Sequence, residues 1–199
     1  SLKGLRVAIL VDDPAAPTDR ETKEIIRNIG QQMTSAGAYV EETAPPGPSL
    51  KEQNALYHRL LGAAMAPPGM DGVSLSEWKK DDEARLRLVA DYSRFFEGFD
   101  VLLAPIAPTA AFTHRHEVPF AERTLTVDNE EIAYALHLVW AGLATLPGLP
   151  ATAVPLTRSA EGLPIGMQII GPCWADKTTL AVASLVETLN GGFVAPPGY

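Results

Sequence analysis

Apolar positions along the chain recur at two periods, and the alternation between them predicts the elements. Val7 to Val11 is a short continuous run rich in β-branched residues, the pattern of a strand buried on both faces. Thr18 followed three residues later by Glu21 predicts a capping box that opens a helix. In that helix Ile25, Ile26, Ile29 and Met33 share one face, and Gly37 marks its stop. Ala38-Tyr39-Val40 predicts the next strand, which completes a βαβ unit with a right-handed crossover. Pro45-Pro46-Gly47-Pro48 then separates this unit from a second helix, boxed by Ser49 and Glu52 and striped by Leu56, Leu60, Leu61 and Met65. Pro67-Pro68-Gly69 ends it. A long helix from Ser74 to Phe99 carries Trp78, Leu88, Tyr92, Phe95 and Phe99, and Val101 to Ala104 is a buried strand that stops at Pro105.

The pattern loosens after that. Ile106 to Val127 has no sustained period and predicts a long loop, a length usually functional or mobile inside a compact domain. Asp128 is expected to cap a helix running to Thr145 that bears Ile132, Leu136, Val139 and Leu143, with the acidic run Asp128 to Glu131 favoured by its dipole. Leu146-Pro147-Gly148-Leu149-Pro150 forms a stiff connection into a strand over Ala151 to Val154. A turn at Ser159 to Gly162 leads to another strand, Met167 to Ile170. Asp176 is expected to cap the last helix, Gly191-Gly192 to end it, and Pro196-Pro197-Gly198-Tyr199 to lack regular structure. No repeat or low-complexity segment occurs. The order of strands and helices predicts an α/β fold with three layers, helices over both faces of one sheet.

Composition narrows the function classes. The 199 residues hold 16 basic and 24 acidic side chains, a formal net charge of −8, which argues against nucleic acid as a partner. No apolar run approaches the ~20 residues of a membrane span. One cysteine, Cys173, excludes an intrachain disulfide and a thiolate-rich zinc site, and suits a reducing compartment, so the expected location is cytoplasmic. Ser1-Leu2-Lys3-Gly4 has neither a methionine nor an apolar signal core, and the chain is expected to begin partway through a longer protein.

Reactive constellations are incomplete. Neither a Gly-x-Ser-x-Gly elbow nor a phosphate-cradling glycine motif is present. Cys173, between Pro172 and Trp174 at the end of an apolar strand, is expected to be a small buried hydrophobe. His114-Arg115-His116-Glu117 offers fewer ligands than zinc needs and reads as a solvated loop, so no metal is expected. His137 reads as a hydrogen-bonded core histidine. Asp12-Asp13 could be a paired-carboxylate acid/base site, although adjacent side chains diverge on extended backbone and aspartate is common in turns.

Two stretches together resemble the amidase signature family. Asp100-Val101-Leu102-Leu103-Ala104-Pro105-Ile106-Ala107-Pro108-Thr109 is similar to the strand and proline-rich loop in the later part of these enzymes. Pro147-Gly148-Leu149-Pro150-Ala151-Thr152-Ala153-Val154-Pro155 is similar to their Gly-x-Pro-x-x-x-x-Pro stretch, and Gly162-Leu163-Pro164-Ile165-Gly166-Met167-Gln168-Ile169-Ile170-Gly171 follows at the expected distance. Asp176 and the helix through Glu187 complete the pattern. Leu2 to Ala8 resembles the segment that follows the family's catalytic region, so the resemblance spans essentially Leu2 to Tyr199.

What the resemblance implies is a mixed sheet and the C-terminal portion of an amidase signature domain. The family's Ser–cis-Ser–Lys triad lies upstream of the matched region, so no residue of this chain inherits those roles and no catalytic residue is assigned. In the parent, the lysine takes a proton through the cis serine and the second serine attacks the amide. An acyl-enzyme forms and water hydrolyses it, with no metal or organic cofactor. The implied contribution of this chain is scaffold and one wall of the pocket for a small-molecule amide, with Pro108, Thr109, Trp140, Leu146 and Gly148 as substrate-binding candidates against a packing role for each. Members that serve tRNA-linked amide formation carry an aspartate on the penultimate helix where Leu138 stands here, and a frequent family asparagine is matched by Thr145. Both departures favour a hydrolase of a small or apolar amide.

Two other readings remain open: a stand-alone α/β binding or interaction module, and a cysteine hydrolase built on Cys173 and His137. A portion cut from a larger sheet is further expected to expose apolar surface and associate with itself as a homo-oligomer.

Overall fold

The computed structural model describes residues 1–67 and 72–195. The expected breaks at Pro68-Gly69 and the tail from Pro196 lie outside the described residues. In chain order the elements are β1 (Arg6–Ile9), α1 (Arg20–Ser35), β2 (Tyr39–Glu42), α2 (Leu50–Met65), α3 (Leu75–Gly98), β3 (Val101–Pro105), β4 (Thr124–Val127), β5 (Glu130–Ala133), α4 (Val139–Thr145), β6 (Ala151–Arg158), β7 (Pro164–Ile170) and α5 (Asp176–Asn190). Single 3-10 turns cover Phe120–Glu122 and Tyr134–Leu138.

Five strands form one sheet in the order β2-β1-β3-β7-β6. β1 runs parallel to β2 and β3, whereas β7 is antiparallel to both β3 and β6, so the sheet is mixed. Alternation along the strands divides the core. Val7, Ile9, Val101, Leu103, Met167 and Ile169 face α1 and α5, where they meet Ile26, Ile29, Met33, Val182 and Val186. Ala8, Leu10, Leu102, Ala104 and Ile170 face the opposite side and pack against Leu56, Leu88, Tyr92, Trp140 and Leu143 of α2, α3 and α4. Three layers result, with β3 buried along its whole length.

Local chemistry explains why α2 and α3 start where they do. Ser49 and Ser74 each accept from the backbone N–H three residues on, and Glu52 and Glu77 reach back to the serine N–H groups. Those serine contacts hold both glutamates below the usual carboxylate range. Between α2 and α3 the Tyr92 hydroxyl donates to Gln53 Oε1 at 3.3 Å, and Gln53 Nε2 donates to the carbonyls of Pro46 and Pro48 at 2.8 Å. Arg6 and Asp100 tie β1 to the turn before β3 at 2.7 Å, and this hydrogen bond keeps Asp100 below its ordinary range.

Several expectations are corrected. The Thr18–Glu21 box does not form: α1 starts after Asp19, and no side chain of its own caps it. Met65 is 72% exposed, so the α2 stripe ends before it. The predicted loop contains strand β4, and the predicted helix over 128–145 is a hairpin followed by a 3-10 turn and the short α4. Asp128 (φ 48°) and Asn129 (φ 70°) are both left-handed and join Val127 to Glu130, the geometry of a two-residue type I′ turn, which leaves no helical N-terminus there. Asp176 is the first residue of α5 and does not cap it.

Gly166 shows how tightly β6 and β7 approach. A Cβ there would lie 2.7 Å from the Val154 carbonyl oxygen, a backbone atom with nowhere to go. Gly166→Ala is therefore expected to lower stability by about 1–3 kcal/mol, read as a shift of the urea unfolding midpoint.

Candidate functional site

The site grows from a buried amide. Gln168, on β7 and 7% exposed, donates from Nε2 to the carbonyls of Pro105 and Trp140, both at 2.8 Å. It thereby ties the end of β3 to the start of α4. Trp140 is fully buried, and its indole N–H donates to Thr18 Oγ1 at 2.8 Å, while the Thr18 hydroxyl donates to the Ala16 carbonyl. These bonds consume the hydroxyl that a capping box would have used.

The first turn of α1 is then satisfied from elsewhere in the chain. The Asp19 N–H donates to the Pro108 carbonyl at 2.8 Å. The Arg20 N–H donates to the Asp128 carboxylate at 3.0 and 3.2 Å, and the Asp128 N–H returns a bond to Asp19 Oδ1 at 3.3 Å. Glu21 accepts from the Ala160 N–H at 2.8 Å. Three separate segments, the loop after β3, the β4–β5 hairpin and the β6–β7 turn, are thus gathered at one helix end, whose dipole favours carboxylates.

Between these segments lies a cleft of about 600 Å³, bordered by Asp19, Glu21, Thr109, Phe112, Arg115, Asp128 and Glu161 among others. Burial pushes the Asp19 carboxyl above its usual range, with repulsion from Asp128 and Glu21 adding to the effect and the hydrogen bond from Asp128 opposing it. A smaller cavity of about 180 Å³ shares Thr109, Ala110 and Ala111 with the cleft and continues to Thr22 and Gly166.

The structure distributes the expected pocket residues unevenly. Thr109 borders both cavities, its hydroxyl donating to the Ala110 carbonyl at 2.6 Å. Pro108 is buried beside it and holds α1 through its carbonyl. Trp140 and Leu146 lie in the apolar layer under α2 and α3, and their side chains border neither cavity. Gly148 is exposed at a left-handed position (φ 71°) in the turn into β6. Sequence reasoning missed Gln168, Asp19 and Asp128. A lone glutamine inside the apolar run Ile165 to Ile170 is the clue that could have found the first.

Other candidates resolve individually. Cys173 is exposed, not buried, because it sits in the turn between β7 and α5 beside Trp174, which has a left-handed φ of 65° and is 91% exposed. His137 is half-buried, and its Nδ1 pairs with the Tyr134 carbonyl at 2.5 Å. Asp12 pairs with Lys23 at 3.2 Å, whereas Asp13 accepts from the Ala15 N–H as a turn residue. Among the described residues no group of three or more His, Cys, Asp or Glu side chains could hold a metal ion, and no helix is long and apolar enough to cross a membrane.

The chain is similar to several known proteins. A family model described as Amidase matches residues 69–180, a span that takes in α3, the loop after β3, the Gly148-Leu149-Pro150 turn and the start of α5. The chain belongs to the amidase signature family. The A subunit of glutamyl-tRNA(Gln) amidotransferase from Streptococcus equi subsp. zooepidemicus is 32% identical over 229 residues, covering 94% of this chain and 45% of that protein. The protein of the same name from Maricaulis maris is 36% identical over 115 residues, covering 58% of this chain and 21% of its own length. Among solved structures, the A subunit of the Thermotoga maritima glutamyl-tRNA(Gln) amidotransferase superposes with a TM-score of 0.76 at 22% identity, covering 98% of this chain and 46% of that one. A bacterial aryl acylamidase of the amidase signature family gives 0.71 at 20%, covering 94% and 44%. These likenesses show the mixed-sheet amidase fold, and the chain spans less than half the length of each of these relatives.

Two substitutions test the geometry. Gln168→Leu withdraws a donor from two buried carbonyls and is expected to cost about 1–3 kcal/mol in chemical denaturation. Asp19→Asn is expected to raise the unfolding midpoint at neutral pH. The raised carboxyl binds its proton more tightly in the folded state, so wild-type stability falls as pH rises from the ordinary aspartate range through the folded value. Below that range both side chains are neutral and the gain disappears, which denaturation series at several pH values check.

Proposed function

We propose that residues 1–199 are the C-terminal portion of an amidase signature domain and supply scaffold and one pocket wall to an amide hydrolase. The span of the family match, which includes the loop after β3 and the turn before β6, carries this reading. The reacting serine and lysine then come from a preceding portion, whose residues form and resolve the acyl-enzyme. No metal or organic cofactor enters the scheme.

Within it the side chains divide their work. Thr109, at the rim of both cavities, contacts the acyl part of a small-molecule amide. Pro108 and Trp140 act as positioning residues through Asp19, Thr18 and Gln168. Leu146 and Gly148 shape the turn into β6 from which that wall continues. Hydrolysis is favoured over transfer to a tRNA-linked acid because Leu138, half-buried in the 3-10 turn, presents no carboxylate to a glutamine amino group, and the Thr145 hydroxyl is engaged with the Ala141 carbonyl at 2.8 Å. Exposed apolar side chains, Trp174 and Leu180 among them, offer a surface for the preceding portion or a second copy.

Ammonia release from a panel of small amides tests the reading. The chain joined to the preceding portion of its parent is expected to hydrolyse at least one amide, and Thr109→Val to raise KM about tenfold with a smaller change in kcat. The chain alone is expected to release none. Turnover by the isolated chain, or none by the joined protein, would overturn the proposal.

A further inference from the structure

Although the protein carries a net charge of −8, the stretch from His114 to Arg123 concentrates two guanidinium and two imidazole groups against Glu117 and Glu122. Arg115, Arg123, His114 and His116 border a nook of about 70 Å³ whose remaining walls include the rings of Phe112 and Tyr134. The nook opens beside the larger cleft, which shares Phe112 and Arg115 with it.

Arg123 is held as a binding group, not left as a loose surface cation. It is half-buried, its Nε donates to the Val118 carbonyl at 2.7 Å, and its guanidinium carbon lies 5.9 Å from the centroid of the Tyr134 ring. Tyr134 is itself clamped edge-to-face by Phe112 at 5.8 Å and Phe120 at 5.3 Å. Among the described residues the two Nη groups of Arg123 have no hydrogen-bond partner. Arg115 adds a second guanidinium, held by a 3.4 Å bond to Thr124 Oγ1 and lying 4.0 Å from Glu117. A planar fork over the Tyr134 ring, with the Phe112 ring on the same wall, matches a carboxylate on a flat, aromatic skeleton. The cleft next door biases the orientation, since Asp19, Glu21, Asp128 and Glu161 outnumber Arg115 on its border, whereas the nook is lined by Arg115 and Arg123 and no carboxylate.

We propose that this nook binds the carboxylate end of a small aromatic or planar ligand. Its identification as an amide substrate that bears a carboxylate rests on the amidase reading, whereas the binding itself does not. Of the two options left by Leu138 and Thr145, a small amide or an apolar one, the nook selects the small, charged one.

Titration of the chain with benzoate, followed by amide chemical shifts, tests this, with benzyl alcohol as the neutral control and inorganic phosphate as a second anion. Benzoate is expected to shift amides of residues 112–124 and of Tyr134, to bind about tenfold tighter than benzyl alcohol, and to lose about tenfold in Arg123→Gln. Should that variant fail to fold by circular dichroism, Arg115→Gln, at the exposed guanidinium, is expected to lose about threefold. Equal binding of benzoate and the alcohol, shifts confined to other segments, or unchanged affinity in the folded variant would overturn the site. Phosphate competing at or below the benzoate concentration would overturn the carboxylate assignment. Benzoate binding without any amide turnover in the joined protein would reject the amidase reading alone, and turnover without benzoate binding would reject this site alone.

Discussion

The carboxamide of Gln168 is the contact through which the sheet dictates the shape of the cleft. Burying an amide inside an apolar strand is costly unless its donors are used, and here Nε2 bonds two carbonyls that belong to different layers. β3 cannot adjust to compensate, since it is covered on both faces and paired on both edges. The backbone leaving it at Pro105 therefore departs at a position set by Gln168 and Trp140. From Trp140 the constraint passes to Thr18, and from there to the first turn of α1. Buried hydrogen bonds thus link β7 to α4 and α4 to Thr18, just before α1, and the Asp19–Glu21 edge of the cleft continues from there.

Charge enters only where that path reaches solvent. The orphan N–H groups at the start of α1 attract carboxylates, but the one that bonds Arg20 belongs to Asp128, 108 residues away. Long-range capping converts a local helix requirement into a tertiary one: the β4–β5 hairpin is held against α1 because α1 lacks a cap of its own. The same arrangement crowds Asp19 and Glu21 with Asp128 at the cleft, where Arg115 lies on the border, while Arg123 lines only the adjoining nook. An acidic wall and a cationic recess thus lie side by side, an arrangement whose field favours one orientation of a dipolar ligand.

What could be read from the sequence is what short-range physics determines. β1 and β3 are continuous apolar runs, and α2 and α3 announce themselves through Ser49–Glu52 and Ser74–Glu77. Thr18–Glu21 has the same spacing and fails, because Trp140, 122 residues distant, claims the threonine hydroxyl. No local pattern contains that competitor. The hairpin was legible in part: Asp128-Asn129 follows the alternating Thr124-Leu125-Thr126-Val127 as a two-residue turn, whereas Glu130-Glu131-Ile132-Ala133 after it does not alternate. Its acidic run imitates a helix start, and the apolar residues after Ile132 imitate a helical stripe. For the site, resemblance led to Thr109, which borders the cleft, and to Pro108, which is buried beside it and bonds Asp19, but also to Trp140 and Leu146, whose side chains are core. Aromatic and apolar residues give no local sign of whether they face a pocket or a layer.

The stretch Gly162 to Gly171, which carries much of the family resemblance, owes its residues to geometry more than to reactivity. Gly166 stands where the Val154 carbonyl leaves no room for a Cβ, and Gly171 stands where a Cβ would lie 2.8 Å from the Thr179 methyl group. Between them Gln168 fills the one polar position in a buried strand. Each of these residues shapes backbone: one lets β6 close on β7, one lets α5 start against the sheet, one joins β3 to α4. A pattern of this kind identifies a scaffold by the constraints on its main chain. It also explains how a chain can match a family through residues that set the path of the main chain, while the cleft between the segments is bordered by side chains such as Thr109, Phe112 and Glu161 that lie outside that stretch or at its turn.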